Sequence, residues 1–308
     1  MKKTLSIHLG IHKTGTTLLQ NDVFPNIENI GYIKKPDLGV ISGDKKTSLF
    51  RFMSASPLIW RNVGEALIQK IEKRARGEAG EKDLLISDEH AIEANDPLRI
   101  ARHLRELERV VENSYQINIL VVVRRQDTWF ASAYAQMSNR YDCASQEHFE
   151  DWVEERVSYN KKFFSGCGVR LRYATLYEEI SNNLKSSDIT IIPFELLKSR
   201  PNEFIRKCCK FVSKKTPKMS NLKKTNKRST SRKKWEIRPI EEYINLRPQR
   251  VFKSFFGKSR IRIPAPRRGK EVELTKRTSD KILNVYEKEN KRLCRHLEGY
   301  NLEEYGYF

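Results

Sequence analysis

Lys13-Thr14-Gly15-Thr16-Thr17 packs one ammonium, three hydroxyls and a glycine into five residues. This composition suits an anion. Hydroxyls and backbone N–H groups donate, the lysine adds a full positive charge, and the glycine permits a turn tight enough for the donors to converge. A second polar turn, Arg124-Arg125-Gln126-Asp127, carries two guanidiniums, and Ser132 follows Arg124 by eight residues. Guanidiniums and hydroxyls are both donors that an anion can accept from. A third cluster, Asp88-Glu89-His90, brings three ionisable side chains capable of accepting a proton.

Each cluster follows a strand pattern. Leu5, Ile7 and Leu9 alternate as a short strand, Gly10 to Gly15 form the turn, and Thr16 to Gln20 begin a helix whose apolar face opens with Leu18 and Leu19. The loop resembles the phosphate-binding loop of nucleotide enzymes, with one displacement. Their G-x-x-x-x-G-K-[ST] pattern puts lysine after the second glycine, whereas Lys13 precedes Gly15 by two residues. A magnesium-bound triphosphate is therefore not the expected ligand.

Asp83 to Ser87 reads as a buried strand tipped by Asp88-Glu89-His90, and Ile117 to Val123 is the strongest strand signal in the chain. Helical spacing follows that strand over Thr128 to Met137, with Trp129, Ala133 and Gln136 in phase. A further strand is expected at Asp188 to Glu195 and a helix at 201–213. Strands alternating with helices predict an α/β fold, a three-layer doubly wound parallel sheet, whose ligands bind outside the carboxyl ends of the strands. Helices are also expected within 47–75 and over 98–113, 144–164, 237–256 and 279–297. Gly31 to Ile33 and Val169 to Tyr173 read as short extended pieces, and 213–234 and 257–275 as basic loops.

The chain of 308 residues is 38% hydrophobic, 32% charged and carries a net charge of +20. Residues 201–308 hold 30 of the 59 basic and 12 of the 39 acidic side chains, so nearly all the excess lies in the last third. Such a field attracts an anionic ligand, a polyanion or an anionic membrane surface, and the plain alternative is a solvated basic face. Five cysteines, Cys143, Cys167, Cys208, Cys209 and Cys294, show no metal-ligand spacing. They imply a reducing compartment, with Cys208 and Cys209 buried on a helix. No secretory signal and no apolar run near 18 residues is expected to direct or anchor the chain.

Taken together, Lys13 to Thr17 and the pair Arg124 and Ser132 resemble the two signatures of the sulfotransferase family, enzymes that use 3'-phosphoadenosine 5'-phosphosulfate. The resemblance implies a single domain over 1–308 with a P-loop-like phosphosulfate loop and a helical C-terminal extension, the basic loop-rich 213–275 included within it. It implies that Lys13, Thr14, Gly15, Thr16 and Thr17 hold the 5'-phosphosulfate, with Lys13 stabilising the leaving group, and that Arg124 and Ser132 hold the 3'-phosphate. The family pattern often has proline two residues after the arginine, where this chain has Gln126. Glu89 takes the place of the base, with His90 and His12 as rivals, and Arg268, Gly269 and Lys270 stand in for a late cofactor loop. No metal is implied, and adenosine 3',5'-bisphosphate is the product.

For the acceptor, the resemblance and the basic last third together point to a carbohydrate hydroxyl, on an anionic or lipid-linked saccharide, in a cytoplasmic protein with peripheral contact at the inner membrane face. No nucleic acid is expected. The competing readings are a P-loop small-molecule kinase, which lacks its lysine after Gly15, and a nucleic-acid-binding module, for which the basic stretch up to Lys234 has only Trp235 beside it as an aromatic platform.

Overall fold

The computed structural model describes residues 2–34, 53, 55–75, 83–88, 92, 96–141, 143–162, 171–185, 188–212, 234–237, 243–246, 261–264, 270–297 and 299–308, with backbone alone for 74–75, 158–162, 243–246 and 261–264. Five parallel strands form the central sheet: β1 (Lys3–Leu9), β2 (Ile30–Lys34), β3 (Asp83–Asp88), β4 (Tyr115–Val123) and β5 (Asp188–Pro193). Their order is β2-β3-β1-β4-β5. From β1 the chain visits β2 and β3 on one side, then crosses to β4 and β5 on the other. Strand order therefore reverses between β1 and β4, which leaves a crevice at their carboxyl ends. Val121 stands opposite Leu9, so β4 runs two residues beyond β1 and delivers Arg124 above the loop that follows β1.

Both faces of the sheet are covered, which is why the strands read as almost continuous apolar runs. Leu5, Ile7, Leu9, Ile117, Ile119 and Val121 bury one face against α2 (Ile59–Ala75), α3 (Pro97–Val111), α4 (Gln126–Met137), α5 (Gln146–Lys162), α6 (Tyr173–Asn183) and α9 (Lys276–Cys294). Leu85, Leu120, Val122 and Ile192 bury the other. They meet α1 (Thr16–Leu18), which runs on as a π turn over Leu19–Val23, the short α7 (Glu195–Ser199), and α8 (Pro201–Val212). The alternation of side chains along each strand thus gives two cores and three layers. Cys208 and Cys209 are fully buried in the second core, where burial raises both thiols, Cys209 to about 12.

Local chemistry sets the helix starts. Asp96 caps α3 by accepting from Arg99 N–H at 2.9 Å, with Pro97 as the first helical residue. Thr275 caps α9 by accepting from Thr278 N–H, which starts that helix three residues before its expected place at Ser279.

Three expectations are corrected. Ile237 does not open a helix: β6 (Lys234–Ile237) and β7 (Tyr243–Leu246) occupy part of 237–256. The segment 257–275 contains two strands, β8 (Ile261–Pro264), paired with β7, and β9 (Lys270–Glu273), paired with β6. Trp235, Ile237 and Val272 alternate at period two and press onto α4 and α5, so burial of a ribbon prevails over a helical spacing assembled from separate short runs. Tyr173 begins α6 and is not part of an extended piece, because its ring and the side chains of Leu176 and Ile180 form a helical stripe against the core. Gly31 to Ile33, by contrast, lengthen into an edge strand of the sheet. No described helix is long and apolar enough to cross a membrane.

Candidate active site

The loop after β1 is fixed from beneath. Thr14 is fully buried and its hydroxyl donates to the Ile11 carbonyl, with Thr16 adding a longer bond of 3.4 Å to the same oxygen. The His12 carbonyl accepts from the Trp129 indole at 2.9 Å, and the Lys13 carbonyl accepts from Arg124 Nη1 at 2.8 Å. Three consecutive carbonyls are thereby taken by donors within the protein. What the loop offers a ligand is of the opposite kind: the exposed Thr17 hydroxyl and the N–H groups at the start of α1.

The turn needs two left-handed residues, Lys13 at φ 69° and Gly15 at φ 82°. At Gly15 a Cβ would also lie 3.2 Å from Phe194 and from Leu197, so glycine is required both for conformation and for the close approach of the segment after β5. Lys13 has no such freedom. A side chain in the left-handed region costs about 1–2 kcal/mol, and it persists where neighbours over-determine it, as Arg124 and Trp129 do here.

Below the loop, His8 Nδ1 lies 2.8 Å from Ser87 Oγ, and Gln20 Nε2 donates to the same hydroxyl at 3.1 Å. This buried network ties β1, β3 and the helix after the loop together. The Asp88 carbonyl accepts from Gly10 N–H at 3.3 Å, so β3 ends beside the start of the loop, with the Asp88 side chain buried. Glu89 and His90 lie outside the described residues. His12 is half-buried, its ring 5.0 Å from that of Trp129.

The two arginines after β4 are separated in role. Arg125 forms a two-point pair with Asp127, at 2.7 and 3.0 Å, and Asp127 also accepts from Ser279 and from Thr128 N–H. Arg124 turns the other way. Its Nε donates to Thr128 Oγ1 at 3.0 Å, its Nη1 reaches Lys13, and its guanidinium lies 5.0 Å from the Phe194 ring centre. Only 7% of Arg124 is exposed, and this burial lowers its otherwise very high pKa. Ser132 lies one helical turn beyond Thr128 on the same face of α4 and is nearly buried.

Lys270 opens β9 opposite Ile237 and is exposed. Arg268 and Gly269 lie outside the described residues. The structure thus brings the loop of Lys13 to Thr17 against Arg124 through the Lys13 carbonyl.

Sequence reasoning overlooked the segment Phe194 to Lys198. Phe194 abuts Gly15 and Arg124, and Lys198 Nζ lies 5.5 Å from the same ring. Burial, followed by the field of Arg124, lowers the pKa of Lys198. The available signal was that Pro193 ends a strand as Leu9 and Val123 do, so its turn opens on the same edge. Gln126 also acquires a reason. It is fully buried and exchanges two amide hydrogen bonds with Asn290, at 2.8 and 3.0 Å, which proline could not make. No cluster of potential metal ligands occurs among the described residues.

The arrangement, at the point where strand order reverses, has the chemistry to receive an anion beside Arg124. A sulfotransferase from Alicyclobacillus acidocaldarius is similar in structure, with 14% identity over 73% of this chain and 88% of that one at a TM-score of 0.46. The sulfotransferase domain from the Synechococcus PCC 7002 olefin synthase is 15% identical over 69% and 74%, at 0.35. A search of curated proteins finds no match. The profile described as sulfotransferase domain matches residues 6–291, nearly the whole chain, and this chain therefore belongs to the sulfotransferase family.

Proposed function

We propose that the protein transfers the sulfuryl group of 3'-phosphoadenosine 5'-phosphosulfate to a carbohydrate hydroxyl. The observation that carries the donor is the contact between Arg124 and the Lys13 carbonyl, which sets one buried guanidinium beside a loop whose carbonyls are already satisfied. The donor's two anionic groups fit that chemistry. Lys13, Gly15, Thr16, Thr17 and the N–H groups of α1 would hold the phosphosulfate, and Arg124 with Ser132 the 3'-phosphate. Thr14, whose hydroxyl donates to the Ile11 carbonyl, would join them through its backbone N–H.

When bound, the donor supplies an activated sulfuryl group whose leaving phosphate gains charge. Lys13 provides a positive charge at the loop to stabilise it, an electrostatic contribution that needs no metal. Glu89, directly after the buried tip of β3, is the group we assign to removing the acceptor proton, which requires a base within hydrogen-bond reach of the acceptor hydroxyl. The basic last third favours an acceptor that is already anionic or held at a lipid surface.

Thermal shift with three ligands tests the donor. Adenosine 3',5'-bisphosphate is expected to stabilise the protein, magnesium ATP and an oligonucleotide much less; stabilisation by magnesium ATP alone would overturn the reading. Transfer of radiolabelled sulfate to a panel of saccharides, lipids and phenols then tests the acceptor, and labelling confined to phenols would exclude the carbohydrate.

A further inference from the structure

One peptide unit carries the Arg124 side chain into the crevice, and it is held on both edges. Its carbonyl, that of Arg124, accepts from the Tyr173 hydroxyl at 2.8 Å. Its N–H, that of Arg125, donates to Glu195 Oε1 at 3.1 Å. The other oxygen of Glu195 accepts from the Tyr307 hydroxyl at 2.8 Å. Tyr173 and Tyr307 are both buried, and burial raises both phenols, so each remains a donor at neutral pH.

Tyr307 is itself anchored. Its carbonyl accepts from Asn290 Nδ2 at 3.0 Å, and the same Asn290 amide is paired with Gln126 next to Arg125. Gly306 turns the chain at φ 71°, where a Cβ would lie 3.0 Å from Arg125 Nη1. The end of the chain thus folds back onto the turn after β4, far from it in sequence.

We infer that Glu195 and Tyr307 form a positioning pair that sets the Arg124 guanidinium for the 3'-phosphate, with Tyr173 holding the opposite edge of the same peptide. This rests on the donor reading given above. The physical reason lies in Glu195, a carboxylate close enough to Arg124 and Arg125 to act on both electrostatically. With both oxygens engaged it orients the peptide and leaves the guanidinium to an anion. Without the Tyr307 hydroxyl, one oxygen loses its donor and the carboxylate turns toward Arg124, where it competes with the ligand's phosphate.

The test is calorimetric affinity for adenosine 3',5'-bisphosphate and for adenosine 5'-phosphate, in the full chain and its variants, with thermal midpoints measured alongside. Wild type is expected to prefer the bisphosphate by about tenfold or more, the worth of a charge-assisted contact. Tyr307→Phe should reduce that preference to about threefold or less, while affinity for the 5'-phosphate stays within about twofold. Glu195→Gln keeps an acceptor for Arg125 and a donor for Tyr307, so it should retain most of the preference. Equal loss for both ligands in Tyr307→Phe, or an unchanged preference in a folded protein, overturns the positioning role. If that variant does not fold, Tyr173→Phe reads out the same peptide from its other edge, with the same two outcomes. Absence of any preference in wild type overturns the donor reading itself and this inference with it, and is thereby distinguished from failure of the pair alone.

Discussion

Lys13 is held in a backbone conformation that its side chain disfavours. Its φ of 69° is maintained by Arg124, which binds its carbonyl, and by Trp129 on the carbonyl before it. Replacing it by glycine removes both the ammonium and the strain. Lys13→Gly is therefore expected to raise unfolding stability by about 1 kcal/mol in denaturant titration, while turnover falls by about 10²-fold or more and bisphosphate affinity falls with it, the 5'-phosphate having lost its cation. A variant less stable than wild type would show that the left-handed turn carries no strain; unchanged turnover would remove Lys13 from the leaving group. The residue types of this loop were legible in the sequence, because glycine and hydroxyl spacing is local. That Thr14 faces inward while Thr17 faces out was not, since it depends on which side of the strand end the Ile11 carbonyl points.

At the level of elements, the clasp between α2 and α3 supplies a pH dependence. Trp60 donates its indole N–H to His103 Nδ1 at 3.0 Å, which places the imidazole proton on Nε2, 3.1 Å from the Ala55 carbonyl. Burial, aided by Arg99, lowers His103 from 6.5 to about 4, so the folded state keeps it neutral. Between those two values the unfolded chain binds a proton that the native chain does not, and stability rises with pH. The contribution is complete above about 6.5 and is lost as pH falls toward about 4, amounting to about 3 kcal/mol. His103→Gln is expected to flatten the denaturation midpoint over that window, and an unaltered slope would assign the loss to other groups. Strands β1, β3, β4 and β5 were readable because buried parallel strands are dense in apolar residues. The strands β6 and β9 were not, because Trp235, Ile237 and Val272 become apolar faces only where α4 and α5 lie beneath them.

Across the whole molecule, charge is divided between a buried grip and a basic last third. Arg124 is 7% exposed, so a ligand it holds is shielded from salt, whereas the anionic acceptor proposed above, if drawn by residues 201–308, is not. Raising salt from about 50 to about 300 mM should therefore increase the KM for the donor by less than about threefold, and the KM for a polyanionic saccharide acceptor by about tenfold or more. Steady-state kinetics in both substrates checks this; equal salt dependence would place the donor on the surface. The sequence by itself determined the α/β class, the residue types of the loop and of the Arg124 turn, and the position of the excess charge. These follow from short-range patterns, in which a strand's apolar run and a turn's composition lie within ten residues of each other. Tertiary structure alone decided that Lys13 and Arg124, 111 residues apart, share a hydrogen bond, and that Glu195 and Tyr307 close around the peptide after Arg124. Those contacts follow from the strand order, and strand order is set by how two apolar faces are covered at once, which no local stretch encodes.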